Sequence, residues 1–369
     1  MKYYIIVGEA SGDLHASNMM RSLKLQDPAA EFRFWGGDLM LAQGGTMVKH
    51  YKELSYMGFV EILMNLTTIL GNVKFCKEDI TDYVPDVLIF VDYSGFNLRI
   101  AKWAKQQGYK TNYYISPQVW ASRAKRVIDI KRDIDNMFVI LPFEKDFYEK
   151  YEYKVNFVGH PLIDAIANRK VMSELDFRQQ NQLDKRPVIA VLPGSRKQEV
   201  TKMLGVMLSI VDDFKQYQFV IAGAPNQDFE FYNQFINTEN VSYINNKTYD
   251  LLSIAKAALV ASGTATLETA LFKVPQIVCF KGSNISYQIA KRIITLKFIS
   301  LVNLILDKEV VTELIQNDFN RINLIKELDK IVIGPSRENM LKNYETLEKK
   351  LGGGGASDKV AKLLFEGNS

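Results

Sequence analysis

Short apolar runs alternate with longer polar or amphipathic segments from one end of the chain to the other. Runs such as Tyr3–Val7 and Val87–Val91 are almost continuously apolar, which is typical of strands buried on both faces of a parallel sheet. The segments between them, for example Asn97–Gln107 and Phe143–Tyr151, have the pattern of helices. This alternation predicts an α/β fold in which helices cover both faces of parallel sheets.

The predicted strands form two series, separated by a polar and charged stretch from about Arg169 to Arg186. The first series consists of Tyr3–Val7, Phe32–Trp35, Val87–Val91, Lys110–Ile115, Met137–Ile140 and Val155–Val158. The second series consists of Val188–Leu192, Gln218–Ala222, Val241–Ile244, Ala257–Ala261 and Gln276–Phe280.

A chain of 369 residues exceeds the size at which a single core usually keeps growing. We therefore predict two Rossmann-like domains, residues 1–165 and 166–351. The last segment, 352–369, begins with the four glycines Gly352–Gly355. It predicts a flexible hinge and a final helix, either packed on another domain or subunit or disordered.

One turn in the second series is typical of an anion-binding site. Gly263, Thr264 and Ala265 follow an apolar strand, and a helix begins at once. Backbone N–H groups and the positive end of the helix attract a phosphate there. Glu268 lies about one turn into the helix, where its carboxylate can accept hydrogen bonds from sugar hydroxyls.

A second turn of the same kind contains Gly194, Ser195 and Arg196, so a guanidinium accompanies its backbone N–H groups. Either turn alone could be an ordinary strand-to-helix connection. Together they favour a site for a nucleotide diphosphate-sugar, which is bound through its phosphates and its hydroxyls.

The turns of the first series carry carboxylates instead. The segment Gly8–Asp13 follows the first strand, where a dinucleotide-binding turn would stand, but it lacks the glycine spacing of such a turn. It includes Glu9 and Ser11. Such a turn suits the hydroxyls of a sugar acceptor, although Asp13 could simply cap its helix. Asp92 ends another strand at the ligand-binding edge and is our candidate for a general base, with a turn-forming role as the alternative.

Two further segments point to an anionic or apolar surface. Arg123 and Arg126 belong to a basic stretch after a strand, which is either a solvated face or a contact for an anionic acceptor or for lipid headgroups. The segment Met57–Leu70 is apolar over most of a helical surface and is either core or lipid-facing. Its candidate lipid-facing residues are Phe59, Val60, Leu63 and Leu66.

Composition excludes several other classes of protein. A net charge of +4 is too mild to indicate a nucleic acid partner. The two cysteines are far apart and the three histidines lack metal-ligand spacing, so we expect neither a disulfide framework nor a metal site. Because there is no signal peptide and no window of 18 uncharged apolar residues, we expect a cytoplasmic protein.

Several motifs in this order resemble the lipid-A-disaccharide synthase family of GT-B glycosyltransferases. They are GEASGD at 8–13, MGFVEIL at 57–63, ISPQVWASR at 115–123, LPFEKDFY at 141–148, FVGHPLID at 157–164, LPGSR at 192–196, SGTATLE at 262–268 and ISLVNLIL at 299–306. The resemblance covers nearly the whole chain, although SGTATLE alone is found across many GT-B enzymes. Two positions depart from the family pattern: Ser122 replaces an aromatic residue and Val302 replaces a proline.

This resemblance implies an inverting, metal-independent glycosyltransferase of lipid A and lipopolysaccharide biosynthesis, with two domains that face each other across a cleft. The implied donor is UDP-2,3-diacylglucosamine, the acceptor is 2,3-diacylglucosamine 1-phosphate, and the products are a β-1,6-linked disaccharide 1-phosphate and UDP. Arg196 would hold the diphosphate, Glu268 the ribose hydroxyls, and Asn303 would lie on the donor side.

The resemblance also implies that Glu9 and Asp92 face the reacting sugars. It does not decide which of the two is the general base. No cofactor is implied. Acylated substrates favour the lipid-facing interpretation of Met57–Leu70 and a peripheral position on the anionic inner face of the inner membrane. The oligomeric state stays open, with a homodimer as one arrangement.

Two other functions remain as alternatives. A UDP-N-acetylglucosamine 2-epimerase shares the GT-B scaffold and the donor motifs but has no use for a wide apolar helix. A non-catalytic nucleotide-sugar-binding protein at the membrane would not need both Glu9 and Asp92.

Overall fold

A computed structural model of the protein describes residues 1–54, 66–224, 227–283 and 297–367. The chain forms two compact units. The first contains Met1–Ala167 and Leu351–Ser369, and the second contains Asn168–Lys350. Each unit has its own parallel sheet and its own core.

The first unit is built on seven described strands. They are β1 (Lys2–Ile6), β2 (Glu31–Gly36), β3 (Thr46–His50), β4 (Val87–Val91), β5 (Thr111–Tyr114), β6 (Asn136–Val139) and β7 (Asn156–Phe157). Their order in the sheet is β3-β2-β1-β4-β5-β6-β7, and every pair is parallel.

Helices cover both faces of this sheet. They are α1 (Ala10–Gln26), α2 (Asp38–Leu41), α3 (Leu66–Tyr83), α4 (Ser94–Gln106), α5 (Val119–Ser122), α6 (Val127–Asp133), α7 (Pro142–Glu149) and α8 (Pro161–Ala167), with 3₁₀ turns at Tyr51–Glu53 and Ala124–Arg126. Successive strand residues enter different cores: Tyr3 and Val87 belong to one buried cluster, Tyr4 and Phe90 to another. Burial on both faces explains why these strands are apolar throughout.

The second unit repeats this architecture. Its strands are β8 (Val188–Leu192), β9 (Gln218–Gly223), β10 (Val241–Asn245), β11 (Ala255–Ala261), β12 (Gln276–Phe280) and β13 (Thr312–Ile315), in the order β10-β9-β8-β11-β12-β13 and parallel throughout. Its helices are α9 (Glu174–Gln180), α10 (Lys197–Leu208), α11 (Phe229–Asn233), α12 (Thr248–Ile254), α13 (Thr264–Leu271), α14 (Leu301–Leu306), α15 (Arg321–Val332) and α16 (Pro335–Lys350), with a 3₁₀ turn at Val211–Asp213.

Both sheets reverse their strand order next to their first strand. The reversal lies between β1 and β4 in the first unit and between β8 and β11 in the second. At such a switch point the loops after the two central strands diverge to opposite faces and leave a crevice for ligands. The predicted fold class, two Rossmann-like parallel-sheet domains, is therefore confirmed.

The C-terminal helix α17 (Ala356–Glu366) returns to the first unit and packs against α1. The glycine-rich segment before it, which the sequence suggested as a flexible hinge, is held in place by Asp164. Its carboxylate accepts hydrogen bonds from the backbone N–H groups of Gly355 (2.6 Å) and Ser357 (3.2 Å). Gly352 has φ +90°, a conformation that favours glycine.

Several details differ from the sequence analysis. Strands β3 and β13 were not predicted. Asp13 does not cap its own helix, because Glu9 is the N-cap of α1. The Asp13 carboxylate instead accepts hydrogen bonds from the backbone N–H groups of Gly37, Leu39 and Met40 at the start of α2, at 2.9–3.1 Å.

Most of the segment Met57–Leu70 lies outside the described residues, including Phe59, Val60 and Leu63. Its described end opens α3 at Leu66 and includes Leu70, which is 54% exposed; Phe75, further along the same helix, is 46% exposed. Among the described helices, none is long and apolar enough to cross a membrane.

Candidate active site

The switch point of the first sheet brings two carboxylates together. Glu9 follows β1 as the N-cap of α1, and Asp92 follows β4 directly. Since β1 and β4 are paired neighbours, both loops lie at the same edge of the sheet. Asp92 and Tyr93 both have φ +47°, which non-glycine residues rarely adopt and which is concentrated at functional sites.

Two buried side chains hold the Asp92 loop in this conformation. The amide of Asn97, on α4, donates to the carbonyl oxygens of Asp92 (2.9 Å) and of Ile6 (3.3 Å), so it ties the ends of β4 and β1 together. The hydroxyl of Tyr113, on the neighbouring β5, also donates to the carbonyl oxygen of Asp92 (2.5 Å). The backbone from which the Asp92 carboxylate projects is therefore held by two neighbouring elements.

The electrostatics distinguish the two carboxylates. Asp92 is partly buried, whereas Glu9 is exposed. Burial, and next the negative charge of Glu9, raise the pKa of Asp92 to about 6. A carboxylate with a pKa near 6 is largely ionised at neutral pH and can still accept a proton, which is what a general base requires.

The other predicted acceptor residues of the first unit lie on its surface. Ser11 is exposed in the first turn of α1, close in sequence to Glu9. Arg123 and Arg126 are exposed in the segment that follows β5, the neighbour of β4 in the sheet. This arrangement places positive charge at the same sheet edge as the two carboxylates.

In the second unit, the turn after β8 carries Arg196 at its exposed end. Arg196 is the N-cap of α10, and its Nη1 lies 3.3 Å from Oε1 of Glu199. Ser195 is also exposed, and Gly194 has φ +105°. Because residues other than glycine rarely adopt a φ of +105°, the turn favours glycine at position 194.

The turn after β11 lies beside it, because β8 and β11 are paired. Gly263 and Thr264 are exposed, and Ala265 is partly exposed, at the start of α13. Glu268 is partly exposed on the same helix, and its Oε1 accepts a hydrogen bond from the hydroxyl of Tyr249 (2.9 Å). Burial raises the pKa of Glu268, and the bond from Tyr249 opposes that effect.

Asn303 is fully buried, and its side-chain amide makes all the hydrogen bonds that it can. Its Oδ1 accepts from the backbone N–H groups of Val310 (2.7 Å) and Val311 (3.0 Å). Its Nδ2 donates to the carbonyl oxygen of Val311 (2.8 Å) and to Oε1 of Glu313 (2.9 Å). All four hydrogen-bonding positions are therefore occupied within the protein, which favours a structural role over direct ligand contact.

Asn303 helps to hold the segment at Ile299 and Ser300, which lies next to the Gly263 turn. Glu313 accepts hydrogen bonds from the backbone N–H groups of Ile299 (2.9 Å) and Ser300 (3.0 Å). The hydroxyl of Ser262, at the end of β11, donates to the carbonyl oxygen of Ile299 (3.0 Å). This network fixes the chain before α14 against the turn.

The sequence analysis missed the supporting residues Asn97, Tyr113, Tyr249 and Glu313. Asn97 stands five residues after Asp92, so its nearness could have been noticed. The other three depend on packing between elements, which no local pattern reports. Among the described residues, no group of three or more histidine, cysteine, aspartate or glutamate side chains could hold a metal ion.

Comparison with known proteins identifies relatives over almost the entire length. A family model described as lipid-A-disaccharide synthetase matches residues 3–359. The lipid-A-disaccharide synthase of Geobacter metallireducens is 35% identical over 370 residues, covering 98% of this chain and 96% of the relative.

Solved structures with the same fold are more distant in sequence. The UDP-GlcNAc 2-epimerase of Neisseria meningitidis, bound to UDP-GlcNAc, matches with a TM-score of 0.72 at 14% identity and covers 99% of this chain and 100% of its own. The glycotransferase of kitacinnamycin matches with a TM-score of 0.66 at 12% identity, covering 100% and 98%. At such identities the likeness shows the GT-B fold alone.

Proposed function

Because the chain belongs to the lipid-A-disaccharide synthase family of glycosyltransferases, we propose that it joins two acylated glucosamines into a disaccharide. The donor is UDP-2,3-diacylglucosamine and the acceptor is 2,3-diacylglucosamine 1-phosphate. The 6-hydroxyl of the acceptor attacks the anomeric carbon of the donor. The bond from that carbon to the UDP oxygen breaks, configuration inverts, and UDP leaves as a β-1,6 bond forms.

Asp92 takes the proton of the attacking hydroxyl. The observation that carries this assignment is the partly buried Asp92 carboxylate at the sheet switch point, with its pKa raised to about 6 by burial and by Glu9. Its backbone is held by Asn97 and Tyr113, so the carboxylate needs little reorganisation before it accepts the proton. The negative charge of Glu9 helps to raise the pKa of Asp92. The exposed carboxylate of Glu9 also accepts hydrogen bonds from hydroxyls of the acceptor.

The second unit binds the UDP part of the donor. Arg196 exchanges its contact with Glu199 for the diphosphate, and the backbone N–H groups at Thr264 and Ala265 face the same charge. Glu268 accepts hydrogen bonds from the ribose. As the bond to UDP breaks, negative charge grows on the leaving phosphate, and these groups stabilise it.

Since the guanidinium and the helix terminus supply this positive charge, we expect activity to persist in excess EDTA. An absolute requirement for Mg²⁺ or Mn²⁺, restored only by adding the ion back, would contradict this part of the proposal.

Release of UDP tests the reaction itself. The full chain is incubated with the donor, with and without the acylated acceptor, and UDP and the disaccharide are measured by mass spectrometry. We expect UDP and disaccharide in equal amounts, and only when the acceptor is present. Acceptor-independent release of UDP, or a donor changed only at its 2-position, would instead support an epimerase.

We place the protein on the anionic cytoplasmic face of the inner membrane, where acylated substrates would be found. The first half of α3 supports this placement, because Leu70 is 54% exposed and Phe75, whose ring also packs against Trp35, is 46% exposed. Exposed Arg123 and Arg126 supply positive charge for headgroups.

Binding to anionic vesicles tests this placement. Salt should weaken binding through basic residues, whereas apolar insertion should persist at high ionic strength. Replacing Phe59, Leu63 and Leu66 together by serine should abolish the salt-resistant part and leave UDP affinity unchanged. If that variant unfolds, the segment is part of the core, and Leu70→Ser with Phe75→Ser becomes the test of the exposed surface.

A further inference from the structure

The side chain of Tyr249 binds α13 at two points, one of which is the predicted ribose-binding carboxylate. Its hydroxyl donates to Oε1 of Glu268 at 2.9 Å. Its ring lies against the ring of Phe272, the C-cap residue one turn after Glu268, with centroids 5.2 Å apart. Residues four apart lie on the same face of a helix, so Tyr249 holds Glu268 and Phe272 from one side.

Tyr249 is itself supported by its surroundings. The hydroxyl of Ser253, one turn later on α12, donates to the carbonyl oxygen of Tyr249 (2.8 Å). Arg169 donates to the Ser253 hydroxyl (3.3 Å), and its guanidinium lies over the ring of Phe272 at 4.7 Å. The phenol therefore approaches Glu268 from a fixed direction.

The bond to Tyr249 leaves the other carboxylate oxygen of Glu268 available. Among the residues that the structure describes, Oε2 of Glu268 accepts no hydrogen bond, and the side chain is partly exposed. Burial raises the pKa of Glu268, which favours the uncharged acid. A hydrogen bond donated by a phenol favours the carboxylate, the form that can accept bonds from two ribose hydroxyls.

We propose that Tyr249 is a positioning residue of the donor site, which orients the Glu268 carboxylate toward the ribose and makes binding selective for a ribonucleotide. This inference rests on the proposed role of Glu268. A deoxyribonucleotide lacks the 2′-hydroxyl, so it should gain little from a correctly oriented Glu268. Tyr249 should therefore affect UDP more than 2′-deoxy-UDP.

Calorimetry with the full chain measures this selectivity. We expect the unaltered protein to bind UDP about tenfold more tightly than 2′-deoxy-UDP, the scale of one hydrogen bond to a charged group. Tyr249→Phe removes a single oxygen and keeps the ring on Phe272. It should reduce that ratio to about threefold or less, mainly by weakening UDP. Tyr217→Phe is the matched control and should keep the ratio. Tyr217 directly precedes β9, at the amino ends of the strands, whereas the turns assigned to UDP follow the carboxyl ends.

The pH dependence of UDP binding gives a second readout. Affinity should fall at acidic pH as Glu268 becomes protonated. Without the Tyr249 hydroxyl the carboxylate is less favoured, so the midpoint of that fall should move to higher pH in Tyr249→Phe. A purely structural role for Tyr249 would not move this midpoint.

Glu268→Gln distinguishes a failure of the proposed ribose contact from a failure of the proposed role of Tyr249. If this variant keeps the tenfold ratio, Glu268 does not bind the ribose, and the donor assignment fails together with the inference. If Glu268→Gln loses the ratio but Tyr249→Phe keeps both ratio and midpoint, the inference about Tyr249 alone is overturned. Equal weakening of both nucleotides in Tyr249→Phe, at an unchanged midpoint, would overturn it as well.

Discussion

The ring of Tyr93 lies directly against the α-carbon of Gly8, so that a β-carbon at Gly8 would come within 2.2 Å of the ring. Gly8 precedes Glu9, and Tyr93 follows Asp92. This close contact lets the loops after β1 and β4 approach each other, and their approach gives Glu9 its influence on the pKa of Asp92.

Gly8→Ala should therefore damage the first unit and its chemistry together. The added methyl group must displace Tyr93, and overpacking of this kind costs about 1–3 kcal/mol of stability. We expect lower turnover with unchanged UDP affinity, since UDP is assigned to the second unit. Gly205→Ala is the control, because a β-carbon there meets no atom within 4 Å. Normal turnover in Gly8→Ala would show that the loops tolerate separation.

Asp92→Asn should reduce turnover by about 10²–10⁴-fold, the usual loss when general-base assistance is removed. Binding of UDP should stay intact, because the substitution removes a charge from the first unit only. Steady-state rates with the acylated acceptor and calorimetry with UDP measure the two effects. Near-normal turnover in this variant, with Glu9→Gln severely impaired, would exchange the two roles.

Glu9→Gln tests the charge coupling between the carboxylates. Asp92 must be ionised to act as a base, so activity should fall as the pH drops through its pKa of about 6. Removing the negative charge of Glu9 lowers the pKa of Asp92, since one of the two causes of its elevation is gone. The acidic limb of the pH–rate profile should therefore move to lower pH. An unmoved limb would mean that the limb reports another group.

The comparison of sequence and structure shows where local patterns carry information. Central strands such as β4 are buried on both faces, and continuous apolar runs predicted them. Strands β3 and β13 lie at sheet edges. Thr46–His50 has only partly buried or exposed positions and Thr312–Ile315 has one buried position, so both lacked that signal.

The residues of the candidate site also divide into those that a local pattern predicted and those that it could not. Glu9, Asp92 and Arg196 could be selected because each lies in the turn that follows a predicted strand, where the carboxyl ends of parallel strands meet ligands. The bond from Tyr249 to Glu268 joins two helices, and the saturated amide of Asn303 depends on the chain beyond it. Such contacts arise from packing, so they could be found only in the folded structure.

Arg196→Ala should weaken UDP binding by about 1.5–3 kcal/mol, the range for hydrogen bonds to a charged group. Calorimetry with the full chain measures this loss. Arg321→Ala is a suitable control, because Arg321 is another exposed guanidinium of the second unit, paired with Asp213 at 2.6 Å. The control should bind UDP normally. Unchanged affinity in Arg196→Ala would remove Arg196 from the donor site.

The buried histidines of the first unit should each contribute a loss of stability at acidic pH. Burial lowers the pKa of His15 to about 4 and that of His160 to about 3, where His15 contributes as well. In the unfolded chain a histidine has a pKa of about 6.5, so below that pH the unfolded state binds more protons than the folded state. The contribution of these two histidines to the free energy of unfolding should therefore fall as the pH drops from about 6.5 to 4, whereas the raised pKa values of Asp92 and Glu144 act in the opposite direction.

One variant isolates the contribution of His15. Each pKa unit corresponds to about 1.4 kcal/mol, so His15 alone should lower the free energy of unfolding by about 3 kcal/mol at pH 4. Relative to the unaltered protein, His15→Leu should gain about that amount of stability between pH 7 and pH 4. The substitution leaves no hydrogen-bond partner of Nδ1 unpaired, because Nδ1 has none among the described residues. Tryptophan fluorescence during urea unfolding measures this unit selectively, since Trp35, Trp103 and Trp120 all belong to it. The same slope in both proteins would mean that His15 takes up no additional proton on unfolding.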